Sequence, residues 1–247
     1  KLRKISASKT SKTLTRICNF SEFLAVQKCK NLVELEKRCK MSIWSQKSAL
    51  MQPRTDRLKL VSCLLSEKDS VDAMAATLKG ADSLLIAVGF VPGNPFKMGE
   101  AAHAVDNVGT VALVDAAKAA GVRKVVLITS ILTDAGAWGQ LDSAGYKVTN
   151  AFGNVLEEKL VAEKYLRKSG LDYTIVRPGG LKADPPTGAL YVAPENSLNA
   201  GEVSRDLVAD VAVAAVFDAK AKNKVVEIVE SDKDGNAKNG VFNGLKM

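Results

Sequence analysis

Three short stretches hold most of the residue types able to bind or act on a small molecule: "AVGFVPGNPF" (87–96), "TSILTDAGAWGQ" (129–140) and "RPGGLKADPPTG" (177–188). Glycine lets a ligand approach the backbone, and proline narrows the shapes of a loop while removing a competing donor. Ser130 carries a hydroxyl near the start of the second stretch, and Lys159 supplies a cation in a helical run between the second and the third. A hydroxyl and an ammonium can each donate a hydrogen bond to a ligand oxygen, and acid–base chemistry there would also need a proton donor. A tyrosine four residues before a lysine would share its helix face, and the ammonium would lower the phenol's pKa from about 10 toward neutrality.

Val155 stands four residues before Lys159 and has no proton to give. At the same spacing Tyr146 meets Asn150 and Tyr165 meets Ser169, so neither completes the pair. Tyr146 could serve only by reaching the site from a loop. Lys159 also has a plainer partner in Glu163, one turn onward, in a solvated surface pair worth about 0.2–0.5 kcal/mol. His103, the single histidine, has Asp106 and Asn107 at helical spacing and reads as a structural or surface residue. Cys18, Cys29, Cys39 and Cys63 lie apart without a C-x-x-C pair, so no zinc set is expected, and a reduced compartment is.

The elements that position these residues alternate along the chain. Strands are expected at 58–65, 82–89, 123–130, 171–178 and 223–230, and helices at 69–80, 100–121, 154–170 and 204–220. Asp69 and Ser204 read as N-caps, and Gly80, Gly121 and Gly170 as helix stops. Continuous apolar strands such as "DSLLIAVG" suit a parallel sheet buried on both faces. Alternation of this kind predicts an α/β fold with a doubly wound parallel sheet, in which ligands bind beyond the carboxyl ends of the strands. All three stretches, rich in Gly, Pro, Ser or Thr, follow such strand ends.

The net charge of +8 is unevenly placed. Residues 1–59 hold 15 Lys+Arg against 4 Asp+Glu, which leaves 20 against 23 for residues 60–247. We therefore divide the chain into a basic segment, 1–57, and an α/β domain, 58–247. Residues 1–19 carry six basic residues, six Ser/Thr and no acid, as an organelle transit sequence or a disordered basic tail does. Without an initiator Met the chain reads as a fragment or a processed form. Residues 21–40 carry an imperfect helical stripe. Aromatic residues are 5% of the chain and are not interleaved with the basic ones, so no specific nucleic-acid partner is expected.

The runs "GADSLLIAVGF", "VDNVGTVALVDAAKAAGVRKVVLITSI" and "AEKYLRKSGLDYTIVRPGGL", in this order, resemble the atypical short-chain dehydrogenase/reductase family. The run "SGLDYTIVRPGGLKADPPTG", followed by "GEVSRDLVADVAVAA" and "KVVEIVE", is similar to small NAD(P)-binding Rossmann proteins of plant and algal chloroplasts. The resemblance covers about residues 58–231. It implies that Ala87, Val88 and Gly89 pass the adenosine ribose of NAD(P) and that Asn107 supports the catalytic region. Ser130 would polarise a substrate carbonyl, Lys159 is the catalytic and cofactor-binding lysine, and Pro178, Gly179 and Gly180 form the loop over the nicotinamide. It also implies a chloroplast location, stromal or thylakoid-associated, and favours NADP.

The family opens with a strand and a glycine-rich turn that holds the pyrophosphate. No glycine precedes Gly80, so this cradle is missing and the sheet is expected to lack its first two strands. A misassigned exon, a paralogue that lost cofactor binding, or a segment that fills the gap would each account for this, and composition favours the first. Two functions follow. One is an NAD(P)H-dependent oxidoreductase with a degenerate Tyr-Lys site. The other is a non-catalytic dinucleotide-sensing or interaction protein with cofactor binding lost, whose basic segment docks on an acidic protein or a thylakoid surface. The substrate is a small molecule that the sequence does not identify.

Overall fold

The computed structural model describes residues 12–19, 22–29, 59–61, 70–91, 93–151, 153–232, 235–237 and 240–243. Its strands are β1 (Lys12–Asn19), β2 (Glu22–Cys29), β3 (Lys59–Val61), β4 (Ala81–Ala87) and β5 (Lys124–Ile128), followed by β6 (Asp172–Pro178), β7 (Gly180–Lys182), β8 (Ala189–Pro194), β9 (Glu202–Ser204) and β10 (Lys224–Ser231). The helices are α1 (Ser70–Leu78), α2 (Met98–Ala102), α3 (Thr110–Ala119), α4 (Ala144–Asn150), α5 (Val155–Lys168) and α6 (Arg205–Phe217). A π-helical turn, His103–Gly109, joins α2 to α3 without a break. Among the described residues no helix is long and apolar enough to cross a membrane.

The main sheet has the order β3-β1-β2-β4-β5-β6-β10-β8, and β4, β5, β6 and β10 run parallel at its centre. Successive residues of a strand face opposite sides, so one apolar run serves two cores. On β5, Val125 and Leu127 join Met74 of α1, Leu113 of α3 and Leu166 of α5. Val126 between them joins Val176, Val211 of α6 and Phe242 on the other face. Each such side chain contributes about 1.5–3 kcal/mol when fully buried. The expected fold class is thus the observed one, a mixed α/β architecture with a mainly parallel sheet.

Helix boundaries follow the local signals. The Ser204 side chain accepts the Leu207 N–H at 3.2 Å and starts α6. Gly121 and Gly170 adopt φ of +72° and +83° after α3 and α5, a backbone shape that side chains disfavour and that ends each helix. Asp69, expected as the cap of α1, lies outside the described residues.

Two features of the main sheet differ from expectation. The stretch expected to be helical from residue 21 contains β2 instead. With β1 it forms an antiparallel hairpin whose second strand pairs with β4, Phe23 opposite Ala87. The unpaired edge of β4 explains this, because a row of free N–H and C=O groups captures an adjacent strand more strongly than an imperfect helical stripe can resist. The flank expected to be empty therefore carries a hairpin from the basic segment. The second difference is β8, an antiparallel edge strand on β10 for which no expectation existed.

One charged cluster is buried where β6 ends. Arg177 is completely buried, as are Glu163 of α5 and Glu227 of β10. Arg177 Nη2 and Nε donate to the two oxygens of Glu163 at 2.7 and 3.1 Å, and Thr129 Oγ1 donates to Glu163 Oε1 at 2.6 Å. Arg177 Nη1 donates to Asn196 Oδ1 at 2.8 Å and to Glu227 Oε1 at 3.4 Å. Glu227 in turn accepts the backbone N–H groups of Asn196, Ser197 and Leu198 at 2.7–2.9 Å. Burial pushes the Arg177 pKa down, but the Glu163 bond and the charges of Glu163, Glu195 and Glu227 outweigh it and leave the guanidinium above its ordinary value. Removing one member leaves charges buried without a partner. Arg177→Met is expected to lose about 3–5 kcal/mol of stability, read as a lower denaturant midpoint in chemical unfolding.

Candidate functional site

A cleft of about 1250 Å³ opens at the carboxyl ends of β4, β5 and β6. Ala87, Val88 and Gly89 line it where β4 ends, Ser130 where β5 ends, and Pro178, Gly179 and Gly180 where β6 ends. Lys159 enters from α5. Parallel strands end on the same edge, so residues more than ninety positions apart in sequence converge there.

The Arg-Pro-Gly-Gly run has a structural explanation. Arg177 turns inward to the buried carboxylates, and Pro178 ends the strand. Gly179 then passes so close to the backbone of Gly201 that a Cβ would collide with the Gly201 carbonyl oxygen and stand 2.9 Å from Val229 Cγ1. Its N–H donates to the Ile228 carbonyl, and the Gly180 N–H donates to the Gly201 carbonyl, each at 2.9 Å. The following loop is fastened by Glu230, whose Oε2 accepts Lys182 Nζ at 2.9 Å and the N–H groups of Thr187 and Gly188 at 3.1 Å. Its Oε1 accepts the Ser204 N–H at 2.6 Å.

Lys159 is placed differently from its plain reading. Its ammonium donates to Asp106 Oδ1 at 2.5 Å, not to Glu163, which is committed to Arg177 and Thr129. The Asp106 side chain is fully buried, and its Oδ2 accepts the Phe90 N–H at 3.1 Å. Val155, in the position a tyrosine would need, lines the same cleft.

Asn107 is not among the residues that line the cleft. Its Nδ2 donates to Glu158 Oε2 at 2.7 Å, and His103 Nδ1 lies 3.0 Å from the same oxygen, with the histidine exposed as expected. Tyr146 sits on α4, donates to Glu157 and accepts from Asn150 Nδ2 at 3.0 Å. Burial first, and then the bond and charge of Glu157, push its phenol up to about 12, against the opposing Asn150 bond. That shift is opposite to the one a proton donor near neutrality needs. Asp106, Glu202 and Arg205 line the cleft without having been given a role there from sequence, although an acid directly before Asn107 was a usable signal for Asp106.

The Glu230 carboxyl gives a pH test of the loop fastening. Burial alone would raise its pKa, but Lys182 and the N–H groups of Ser204, Thr187 and Gly188 lower it from 4.5 to about 2. A depressed folded-state pKa stabilises above the unfolded value and is lost as pH falls through the folded one. The stability advantage of the wild type over Glu230→Gln is therefore expected to be full above about pH 4.5 and gone near pH 2, measured as thermal midpoints across that range.

A family profile described as NAD(P)H-binding matches residues 45–219. An uncharacterized chloroplastic protein of Arabidopsis thaliana is 51% identical over 160 residues, 62% of this chain and 55% of that protein. The chloroplastic Protein TIC 62 of Pisum sativum is 32% identical over 179 residues, 70% of this chain and 32% of that protein. This chain thus spans about half the length of the first relative and a third of the second. Among solved structures, the oxidoreductase ylbE of Lactococcus lactis superposes with a TM-score of 0.61 at 25% identity, covering 76% of this chain and 78% of that one. A parallel sheet with its cleft at the strand ends and a profile match across most of that sheet lead to one conclusion: the chain belongs to the NAD(P)H-binding, oxidoreductase-like Rossmann family of the atypical short-chain dehydrogenase/reductase type.

Proposed function

We propose that this chain is a chloroplast NAD(P)H-binding reductase in which the Tyr-Lys proton-donating pair has been lost. The observation that carries this reading is Lys159, retained in the cleft but bonded to Asp106, with Val155 where the phenol would stand. The relatives named above are chloroplastic, and stromal or thylakoid-associated residence is part of the proposal.

The residues suit the nicotinamide end of a dinucleotide. Ser130, Lys159, the Pro178–Gly180 loop and Ala87–Gly89 line one cleft, and in this reading the adenosine would lie along Ala87–Gly89. They do not supply a pyrophosphate cradle, since no glycine precedes Gly80. Binding is therefore expected to be weaker than a complete glycine-rich turn would allow. The bound nicotinamide would supply a hydride. Ser130 would donate its hydroxyl proton in a hydrogen bond to the acceptor oxygen of a substrate. Lys159 would hold the cofactor through the N–H groups that Asp106 leaves free. With no tyrosine at hand, the proton completing the reduction would come from water.

The absent cradle also supports a second reading, a dinucleotide sensor or interaction protein without turnover, docked through residues 1–57 on an acidic protein or a thylakoid surface. Equilibrium titration of NADPH fluorescence tests the reductase reading, and NADPH oxidation in the presence of carbonyl compounds separates it from a sensor that binds without turnover. Saturable binding, weakened about tenfold by Lys159→Met, is expected. No binding at millimolar NADPH would remove the reductase reading. A parallel titration with NADH tests the preference for NADP that the family resemblance implies.

A further inference from the structure

The first turn of α5 is tied down at three successive residues. Glu157 binds Tyr146, Glu158 binds Asn107 and lies beside His103, and Lys159 binds Asp106. Only the last of these pairs lines the cleft. Asp106 lies on the π-helical turn His103–Gly109, a rare geometry that accommodates an additional residue in the turn and recurs at functional sites. Its two oxygens join the backbone at the end of β4, through Phe90 N–H, to the ammonium of Lys159. Gly89 lies against this pair, since a Cβ there would come within 3.7 Å of Asp106 Oδ1 and 3.9 Å of Lys159 Nζ.

A part-buried ammonium without a counter-charge is costly and is not held in one place. In a Tyr-x-x-x-Lys pair the phenol stands beside the lysine, whereas here Val155 offers only methyl groups. Lys159 has three N–H donors. Asp106 takes one, which leaves two for a ligand.

We infer that Asp106 is the positioning residue for Lys159. It fixes the ammonium at the cleft wall beside Gly89 and cancels its charge, so that Lys159 meets a ligand as a hydrogen-bond donor and not as a net cation. This rests on the proposed NAD(P)H-binding reading for its ligand, but not for its geometry. It also sets this site apart from one built to activate a phenol, because the charge that would do so is already neutralised.

A double-mutant cycle tests the assignment. NADPH is titrated against the full-length wild type, Asp106→Asn, Lys159→Met and the double variant, with thermal midpoints recorded for each. Asparagine keeps an acceptor for the Phe90 N–H, and the double variant removes both charges together. If Asp106 acts through Lys159, each single change weakens binding about tenfold and the double variant is no worse. A double loss near a hundredfold, or an Asp106→Asn variant that binds as the wild type does, overturns the inference.

A second readout needs no cofactor. The rate at which Lys159 is acetylated by N-hydroxysuccinimide acetate, followed by peptide mass spectrometry, is expected to rise several-fold in Asp106→Asn once the amine is released. An unchanged rate overturns the inference as well. If the wild type binds no NADPH, the reductase reading falls while the acetylation rate still decides the role of Asp106. Asp106→Ser serves the same comparison should the asparagine variant not fold.

Discussion

The guanidinium of Arg177 is the point on which the rest of the architecture rests. A cation completely removed from water is tolerated only when its donors and its charge are met, and here three different parts of the chain meet them. Glu163 fixes α5 against the end of β6, Glu227 fixes β10, and through Glu227 the 196–198 backbone is pinned beneath the cleft. Thr129 adds the end of β5. Because Glu163 and Lys159 are one helical turn apart, the buried cluster also sets the height at which Lys159 enters the cleft. Glu163 thereby belongs to the core and leaves Lys159 to find its partner elsewhere.

That partner is Asp106, and the result is two neighbouring charge systems of different depth. The inner one holds the sheet together and is sealed from solvent. The outer one sits in the cleft wall and retains donors for a ligand. The same separation explains the glycines after Pro178. Gly179 is required by the approach of Gly201, and Glu230 fastens the loop beyond it, so this segment is ordered by the protein before any ligand arrives. A cleft shaped in advance loses less conformational entropy on binding.

Local chemistry in the chain made much of this legible. The glycine stops at 121 and 170, the Ser204 cap and the continuous apolar strands were readable because each acts within a few residues. The convergence of Ser130, Lys159, Pro178, Gly179 and Gly180 was readable too, since parallel strands must end on one edge. Asn107, expected to support the catalytic region, lies outside the cleft lining and donates to Glu158 of α5. The β1–β2 hairpin and β8 were not legible, because sheet edges recruit strands by long-range backbone pairing that leaves little trace in periodicity.

By itself the sequence determined the α/β class, the family, the position of the cleft, the valine four residues before Lys159 and the absence of a glycine before Gly80. These depend on residue identity and on spacings along the chain. Tertiary structure decided the pairings of charge: Arg177 with Glu163 and Glu227, Lys159 with Asp106, Glu230 with Lys182. A carboxylate three or four residues away is the obvious partner when the chain is read in line. In the folded protein the choice is made by burial, because a charge withdrawn from water binds most strongly to whatever counter-charge is withdrawn with it.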